Sequence, residues 1–319
     1  DGSKLKTGWN PALNEEEFVE ATMGMDFTRV PYDRYWAGTA ETYKEDLEHP
    51  DPRIREKRKQ EVYAMRIFQE NYCPYNCTFC GSRAFQIDAA GGEKIKVVSL
   101  GGFELTDLVE KCFNANPRLQ TIIIQDDNFM MGLKNNKIEK LIASMNEKKM
   151  KGILPEYLSF ICQARVDNVN LQRLKAMKEA NFRMISYGIE SFSARMLEEI
   201  LKETTVERAI QTLDETLAVG IHPYMNTILT APNSNFFDMF ETIDKSIHYL
   251  ERGAEVGSYN TIIPLPGATI ERLTRDTSSV EYAEVTIAFS DQKFRKSERI
   301  LPNDPRLREL IFRYDEIID

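Results

Sequence analysis

Residues 62–81 read VYAMRIFQENYCPYNCTFCG. A short apolar run, VYAMRIF (62–68), is followed within a few residues by Cys73, Cys77 and Cys80 in a Cys-x3-Cys-x2-Cys spacing. Pro74 and Asn76 oppose continuous helix and Gly81 permits a turn, so the loop can wrap three thiolates around one point. Three cysteines leave one coordination position unfilled on a four-iron cluster, where a closed cluster would use four. An open iron is a chemical site, whereas a closed one usually carries electrons. The alternative reading of the same loop is structural zinc, which wants four ligands in a closed site. Cys112 and Cys162 lie in a helical stretch and a strand and read as core residues, and His222 and His248 have no evident pairing with the loop.

Beyond this loop, short apolar runs alternate with amphipathic stretches, the signature of βα units around a parallel sheet. Strands are expected at 62–68, 121–125, 157–163, 182–189, 222–230 and 256–265. The stretches between them, such as FELTDLVEKCFNAN and FFDMFETIDKSIHYLERG, repeat apolar residues at i, i+3, i+4 and i+7, so one helix face packs on the sheet. Gly220, just before the fifth strand, fits a helix C-terminal stop. Together these predict an α/β fold: a partial (β/α)6 TIM-like parallel barrel, open on one side, with functional residues at strand C-termini. The expected organisation is an N-terminal extension over 1–62, the barrel over 63–270 and a charged C-terminal extension over 271–319. HPDPRIREKRKQ reads as a charged, solvated linker, and VPYDRYW as an apolar–aromatic staple.

Composition narrows the class. The chain has 319 residues, 42% of them hydrophobic, and a net charge of −9. It is neither a disordered polymer nor a collagen-like rod, and no apolar run approaches the roughly 20 residues needed to span a bilayer. The acidic balance argues against bulk binding of nucleic acid. Five cysteines, an odd number with three in one loop, suit a reducing, cytoplasmic setting better than a disulfide scaffold. The first residue is Asp1, and the opening DGSKLKTGWN has no signal-peptide character, so a longer or processed parent is expected. No complete Gly-x-Gly-x-x-Gly or phosphate loop is present in the sequence.

The cysteine loop after the first strand of a six-unit βα array resembles the radical S-adenosylmethionine (SAM) superfamily, and Pro74 and Phe79 also match that pattern. The resemblance covers about residues 62–270. It implies a [4Fe-4S] cluster on Cys73, Cys77 and Cys80, with SAM chelating the fourth iron through its amino and carboxylate groups. It also implies SAM contacts at the strand ends. The second strand ends Gln125-Asp126-Asp127-Asn128-Phe129 in place of the family's glycine-rich segment, similar to the Asp-Asp form of cobalamin-dependent branches. Asp126 and Asp127 would accept hydrogen bonds from the SAM ammonium; a helix cap or solvated loop explains them equally. Gln163 and Arg165 end the third strand, where Arg165 would pair with the SAM carboxylate or form a structural salt bridge. Ser186-Tyr-Gly188-Ile-Glu190-Ser191 resembles the family's Gly-x-Glu-Ser segment, giving Glu190 the ribose hydroxyls, with an acidic helix cap as the alternative. Lys202 is the candidate base for the SAM carboxylate, or a solvated helix-end lysine. Pro264, Leu265, Pro266 and Gly267 would place exposed backbone beside the adenine, although a tight turn explains the same residues. Asn226 and Thr230 could face the cavity.

The resemblance implies an enzyme in which a reduced cluster donates one electron to the sulfonium, a C–S bond breaks, and a 5′-deoxyadenosyl radical removes a substrate hydrogen. Val30–Trp36, upstream of the cluster, is similar to the linker of cobalamin-binding members, so cobalamin is a further possible cofactor and methyl transfer a possible outcome. The expected partners are a small-molecule or peptide substrate and a one-electron reductant such as flavodoxin or ferredoxin. A radical must be shielded, so a lid is expected from 1–62, 271–319 or a further domain. Two alternatives remain: a non-catalytic zinc or cluster module, and a barrel lyase using Lys202 with Asp126 or Asp127. No residue is assigned as the one that quenches the radical.

Overall fold

The fold is described from a computed structural model, over residues 14–91, 95–129, 136–257, 260–275, 277–286 and 293–318. The opening DGSKLKTGWN lies outside these residues. Four helices come first: α1 (Glu15–Met23), α2 (Tyr32–Thr42), α3 (Lys44–Leu47) and α4 (Pro52–Val62). A capping box between Asn14 and Glu17 starts α1. The charged stretch read as a solvated linker is instead helix α4. Asp51 caps it by accepting from Arg53 N at 2.8 Å, and Pro52 occupies the first turn, where its missing N–H costs nothing. Arg58 then bridges Asp46 and Glu61, each at 2.6 Å, which holds α4 against α3.

The barrel runs β1 (Ala64–Ile67), α5 (Ser82–Ala89), α6 (Gly102–Ala115), β2 (Thr121–Ile124), α7 (Lys137–Met150), β3 (Ser159–Ala164), α8 (Leu171–Glu179), β4 (Phe182–Glu190), α9 (Ala194–Glu199), α10 (Val206–Ala218), β5 (His222–Thr230) and α11 (Phe236–Glu251). The strands pair in parallel in chain order. One row across the sheet joins Ile67, Ile124, Cys162 and Ile185, all buried, so Cys162 is a core residue as expected. Phe129, Phe160 and Phe182 stack in the same core, with centroids 5.4 and 5.0 Å apart. Cys112 is buried on α6. Gly220 ends α10 at φ +75°, the left-handed stop read from the sequence.

The expected sixth strand, 256–265, is shorter and split. β6 (Glu255–Val256) and β7 (Asn260–Thr261) both pair with β5 at successive registers and together fill the sixth position. Pro264 and Pro266 cannot donate to a ladder, and Gly267 turns at φ +82°, so the chain leaves the sheet after Thr261. Among the described residues β1 pairs only with β2, and β6 and β7 only with β5, so the barrel is open.

After α12 (Thr269–Thr274) the charged C-terminal stretch forms an antiparallel hairpin, β8 (Val280–Thr286) and β9 (Lys293–Ile300), and helix α13 (Pro305–Ile318). Ile300 N donates to Ile262 O at 2.7 Å, which docks the hairpin beside the sixth strand position. Ile300, Val280, Ile262, Ile270, Ile228 and Leu197 form a second apolar cluster, separate from the main core. No described helix is long and apolar enough to cross a membrane.

Candidate active site

The cysteine loop is held by residues far along the chain. Thr78 N donates to Ile200 O at 3.0 Å, and Ile270 N donates to Thr78 O at 2.9 Å. Phe79 packs against the second apolar cluster, and Leu265 covers Gly81, where a Cβ would meet the Leu265 Cβ at 3.0 Å. Helix α5 begins directly after Gly81, and the backbone N–H groups of Ser82 and Arg83 face the Cys80 thiol. All three cysteines are free and half-buried. Burial pushes Cys73 up to about 12 and also raises Cys80, with the nearby Asp127 charge adding to both.

Asp126, in the loop after β2, is buried, so it is neither a helix cap nor a solvated carboxylate. It accepts from Gln69 N at 2.9 Å, Glu70 N at 3.1 Å and the Gln69 side chain, tying the segment after β1 to the end of β2. Lys137 in turn donates to Gln69. Burial raises the Asp126 carboxyl to about 6 and lowers Lys137 to about 8. Asp127 is exposed and accepts from Ser82 Oγ at 2.5 Å and Gln86 Nε2 at 3.1 Å. Both aspartates line a cleft of about 370 Å³ with Phe68, Tyr72 and Phe85. A neighbouring cleft of about 710 Å³ exposes Cys77 and Cys80 opposite Pro266 and Gly267.

A third group is buried. Lys202 Nζ donates to Glu190 Oε1 at 2.6 Å, so Lys202 is not a solvated lysine. Nor is Glu190 a helix cap, because Ser193 caps α9. Glu190 sits at a β-bulge with φ +62°, and Leu201 and Glu203 flank Lys202 at φ +50° and +54°. Backbone strain of this kind, about 1–3 kcal/mol per residue, persists where the surroundings over-determine it. Gly188 leaves the space for the pair, since a Cβ there would lie 2.6 Å from both Glu190 Oε1 and Lys202 Nζ. Arg165 Nη2 donates to Lys202 O at 2.5 Å, and its Nη1 faces Cys77 Sγ at 3.7 Å. Cys77, Arg165, Lys202 and Glu190 are therefore linked in one chain of contacts.

The remaining predicted residues lie around this chain without joining it. Gln163 accepts through its backbone carbonyl from Phe129 N at 2.9 Å. Ser186 Oγ accepts from Asn226 at 2.8 Å, which occupies the asparagine read as a cavity residue. The lyase arrangement does not form, because Lys202 pairs with Glu190 while Asp126 clamps residues 69 and 70. Sequence reasoning missed Tyr75, Asn128 and Asn168. Asn128 Oδ1 accepts from Arg165 N at 3.2 Å, its Nδ2 donates to Asn168 at 2.6 Å, and Asn168 meets Tyr75 Oη at 3.3–3.4 Å. Only the place of Tyr75 between two cysteines signalled it.

The donor set fits an iron–sulfur cluster and a polar ligand. No three His, Cys, Asp or Glu side chains among the described residues gather to hold a single ion, which a cube carrying each thiolate on a different iron does not require. The hydroxyls of Thr78, Thr227 and Thr230, in the cysteine loop and on β5, are buried without a hydrogen-bond partner among the described residues. Thr227 lies beside Glu190 in the sheet register.

Residues 70–246, more than half of the chain, match the radical SAM superfamily, and the chain belongs to it. It is a radical SAM enzyme, and the superfamily implies [4Fe-4S] and SAM as its cofactors. It is 25% identical over 201 residues to an uncharacterized methyltransferase of Pyrococcus horikoshii, covering 62% of this chain and 39% of the relative. A protein of Methanocaldococcus jannaschii named as a methylthiotransferase is 26% identical over 206 residues, covering 63% and 43%. The chain thus spans about two fifths of the length of these relatives. The cobalamin-dependent SAM radical enzyme OxsB shares the fold at TM-score 0.61 and 16% identity, covering 83% of this chain and 42% of that one. The radical SAM methyltransferase TsrM of Kitasatospora setae does so at TM-score 0.55 and 14% identity, covering 70% and 40%.

Proposed function

We propose that this chain is the catalytic barrel of a methyl-transferring radical SAM enzyme of the cobalamin-using kind. The observation that carries its catalytic role is the chain of contacts from Cys77 through Arg165 and Lys202 to Glu190. The methyl-transfer reading is supported by the P. horikoshii relative and by the cobalamin-dependent structures of like fold. When bound, the [4Fe-4S] cluster and SAM supply a reducing electron and a cleavable sulfonium carbon.

Within this reading Cys73, Cys77 and Cys80 hold three irons. Glu190 orients the ribose through Oε2, which makes no hydrogen bond to the described residues, while Lys202 fixes Oε1. Asp127, exposed in its cleft, accepts from the SAM ammonium, and Asp126 shapes that cleft from beneath. The backbone of Phe79 and of Pro264–Gly267 frames the adenine. The substrate is a small molecule or a peptide, and a one-electron donor protein supplies the reductant.

The test is anaerobic reconstitution followed by assay for 5′-deoxyadenosine and methylated product with SAM, dithionite and methylcobalamin. Replacing all three loop cysteines by Ala should remove about four irons per chain; full iron retention would refute the ligand assignment. Product formation indifferent to methylcobalamin would refute the cobalamin part and leave the cluster chemistry standing.

A further inference from the structure

The SAM carboxylate is the partner first expected for Arg165, yet its guanidinium is already committed. The side chain is 5% exposed. Nε donates to Asp167 Oδ1 at 3.0 Å, and Nη2 contacts Asp167 Oδ2 at 3.3 Å, Lys202 O at 2.5 Å and Glu203 O at 3.5 Å. The guanidinium lies 3.8 Å from the centroid of the Tyr75 ring, and Nη1 faces Cys77 Sγ at 3.7 Å. A planar fork anchored by a carboxylate, two carbonyls and a ring has little orientational freedom left. What it holds in place is one N–H donor and a positive charge against a loop cysteine. The backbone turns at Leu201 and Glu203, both at positive φ, accompany the two carbonyls that fix it.

We infer that Arg165 is a positioning residue that sets the reduction potential of the cluster through Cys77. The inference rests on the cluster assignment proposed above. Reduction by an external one-electron donor adds one negative charge to the cluster and its sulfurs. A fixed cation and hydrogen-bond donor at a ligating sulfur stabilise that added charge more than they stabilise the oxidised form. Burial strengthens the effect because water does not screen it. Arg165 therefore makes the cluster easier to load with its electron, and its loss should make the cluster harder to reduce.

The experiment is an EPR-monitored redox titration, with dithionite as reductant, of the full chain reconstituted anaerobically in the absence of SAM. Arg165→Gln should shift the oxidised-to-reduced ratio at fixed potential by at least tenfold toward oxidised, a fall of about 59 mV for a one-electron couple. Iron content should stay within twofold of the parent. An unmoved midpoint with weakened SAM binding would overturn the inference and return Arg165 to the SAM carboxylate. If the variant does not retain iron, the parent protein is labelled with arginine carrying ¹⁵N in its guanidino group alone, which leaves the Arg83 backbone N–H at Cys80 unlabelled. Its reduced cluster should show ¹⁵N modulation in pulsed EPR, and absence of that coupling would equally overturn the inference. Failure to cleave SAM would count against the proposed function alone, since neither readout depends on turnover.

Discussion

Asp126 and Gly188 show how much one side chain, or the lack of one, determines here. Asp126 is buried, and burial raises its carboxyl to about 6, above its ordinary value near 3.8. Between those values the folded state binds a proton that the unfolded chain does not, so its stability contribution is full at low pH and is lost as pH rises through about 6. Asp126→Asn, which cannot titrate, should cost about 1–3 kcal/mol at pH 7, because its amide N–H₂ meets the Gln69 amide as donor against donor. On acidification from pH 7 to pH 4 the gap between parent and variant should widen by roughly 2 kcal/mol in urea unfolding. A gap that narrows would mean that Lys137 dominates and holds the carboxyl low. Gly188→Ala puts a methyl group 2.6 Å from both atoms of the Lys202–Glu190 pair. That pair should be displaced, SAM affinity should fall at least about tenfold, or 1.4 kcal/mol, and iron content should be kept. Unchanged affinity in calorimetry would remove the pair from the cofactor site. Such strained positions were illegible in the sequence, because positive φ is expected of Gly or Asn and falls here on Glu190, Leu201 and Glu203.

At the scale of elements, the strands were legible wherever a short apolar run stood between turn residues, as in TIIIQ and HPYMNTILT. Helix α5 was not, because its amphipathicity is inverted: Gln86 is buried, while Phe85 is 66% and Ile87 38% exposed. Helix α4 was hidden by its charges, which are satisfied by each other and by α3 rather than by water alone. The segment that ends the second strand was read for its carboxylates, yet buried Phe129 and its N–H bond to Gln163 O anchor it as well. The C-terminal hairpin was legible only as a charged extension, since its role lies in Ile300 and Val280 rather than in its surface. Ile300→Ala should cost about 2–4 kcal/mol as a cavity in the second apolar cluster. Phe79 packs on that cluster, so iron retention should fall while the circular dichroism of the barrel is preserved. Full iron retention in this variant would show that the hairpin does not support the cysteine loop.

For the molecule as a whole, the N-terminal helices share the main core with the barrel. Phe18, Phe27 and Trp36 belong to the main core, and Trp36 Nε1 donates to Ala64 O at 3.0 Å. Trp36→Ala should lower stability by about 3–5 kcal/mol, in one cooperative transition that includes the sheet. Hydrogen exchange reads the difference from Ile300→Ala: amides of β1–β3 should lose protection in the first variant and keep it in the second. Equal protection of β1–β3 in parent and Trp36→Ala would show the helices to be separable after all.

The anchoring of Thr78 to Ile200 and Ile270 has a consequence for biogenesis. On the ribosome the three cysteines emerge long before the residues that shape their loop. Until Ile270 has left the exit tunnel, the nascent thiols have no fixed spacing to offer an iron donor. If the loop carries the cluster proposed above, loading in this spacing should come late, once nearly the whole barrel has been made, and a chain stalled after β3 should present bare thiols to oxidants.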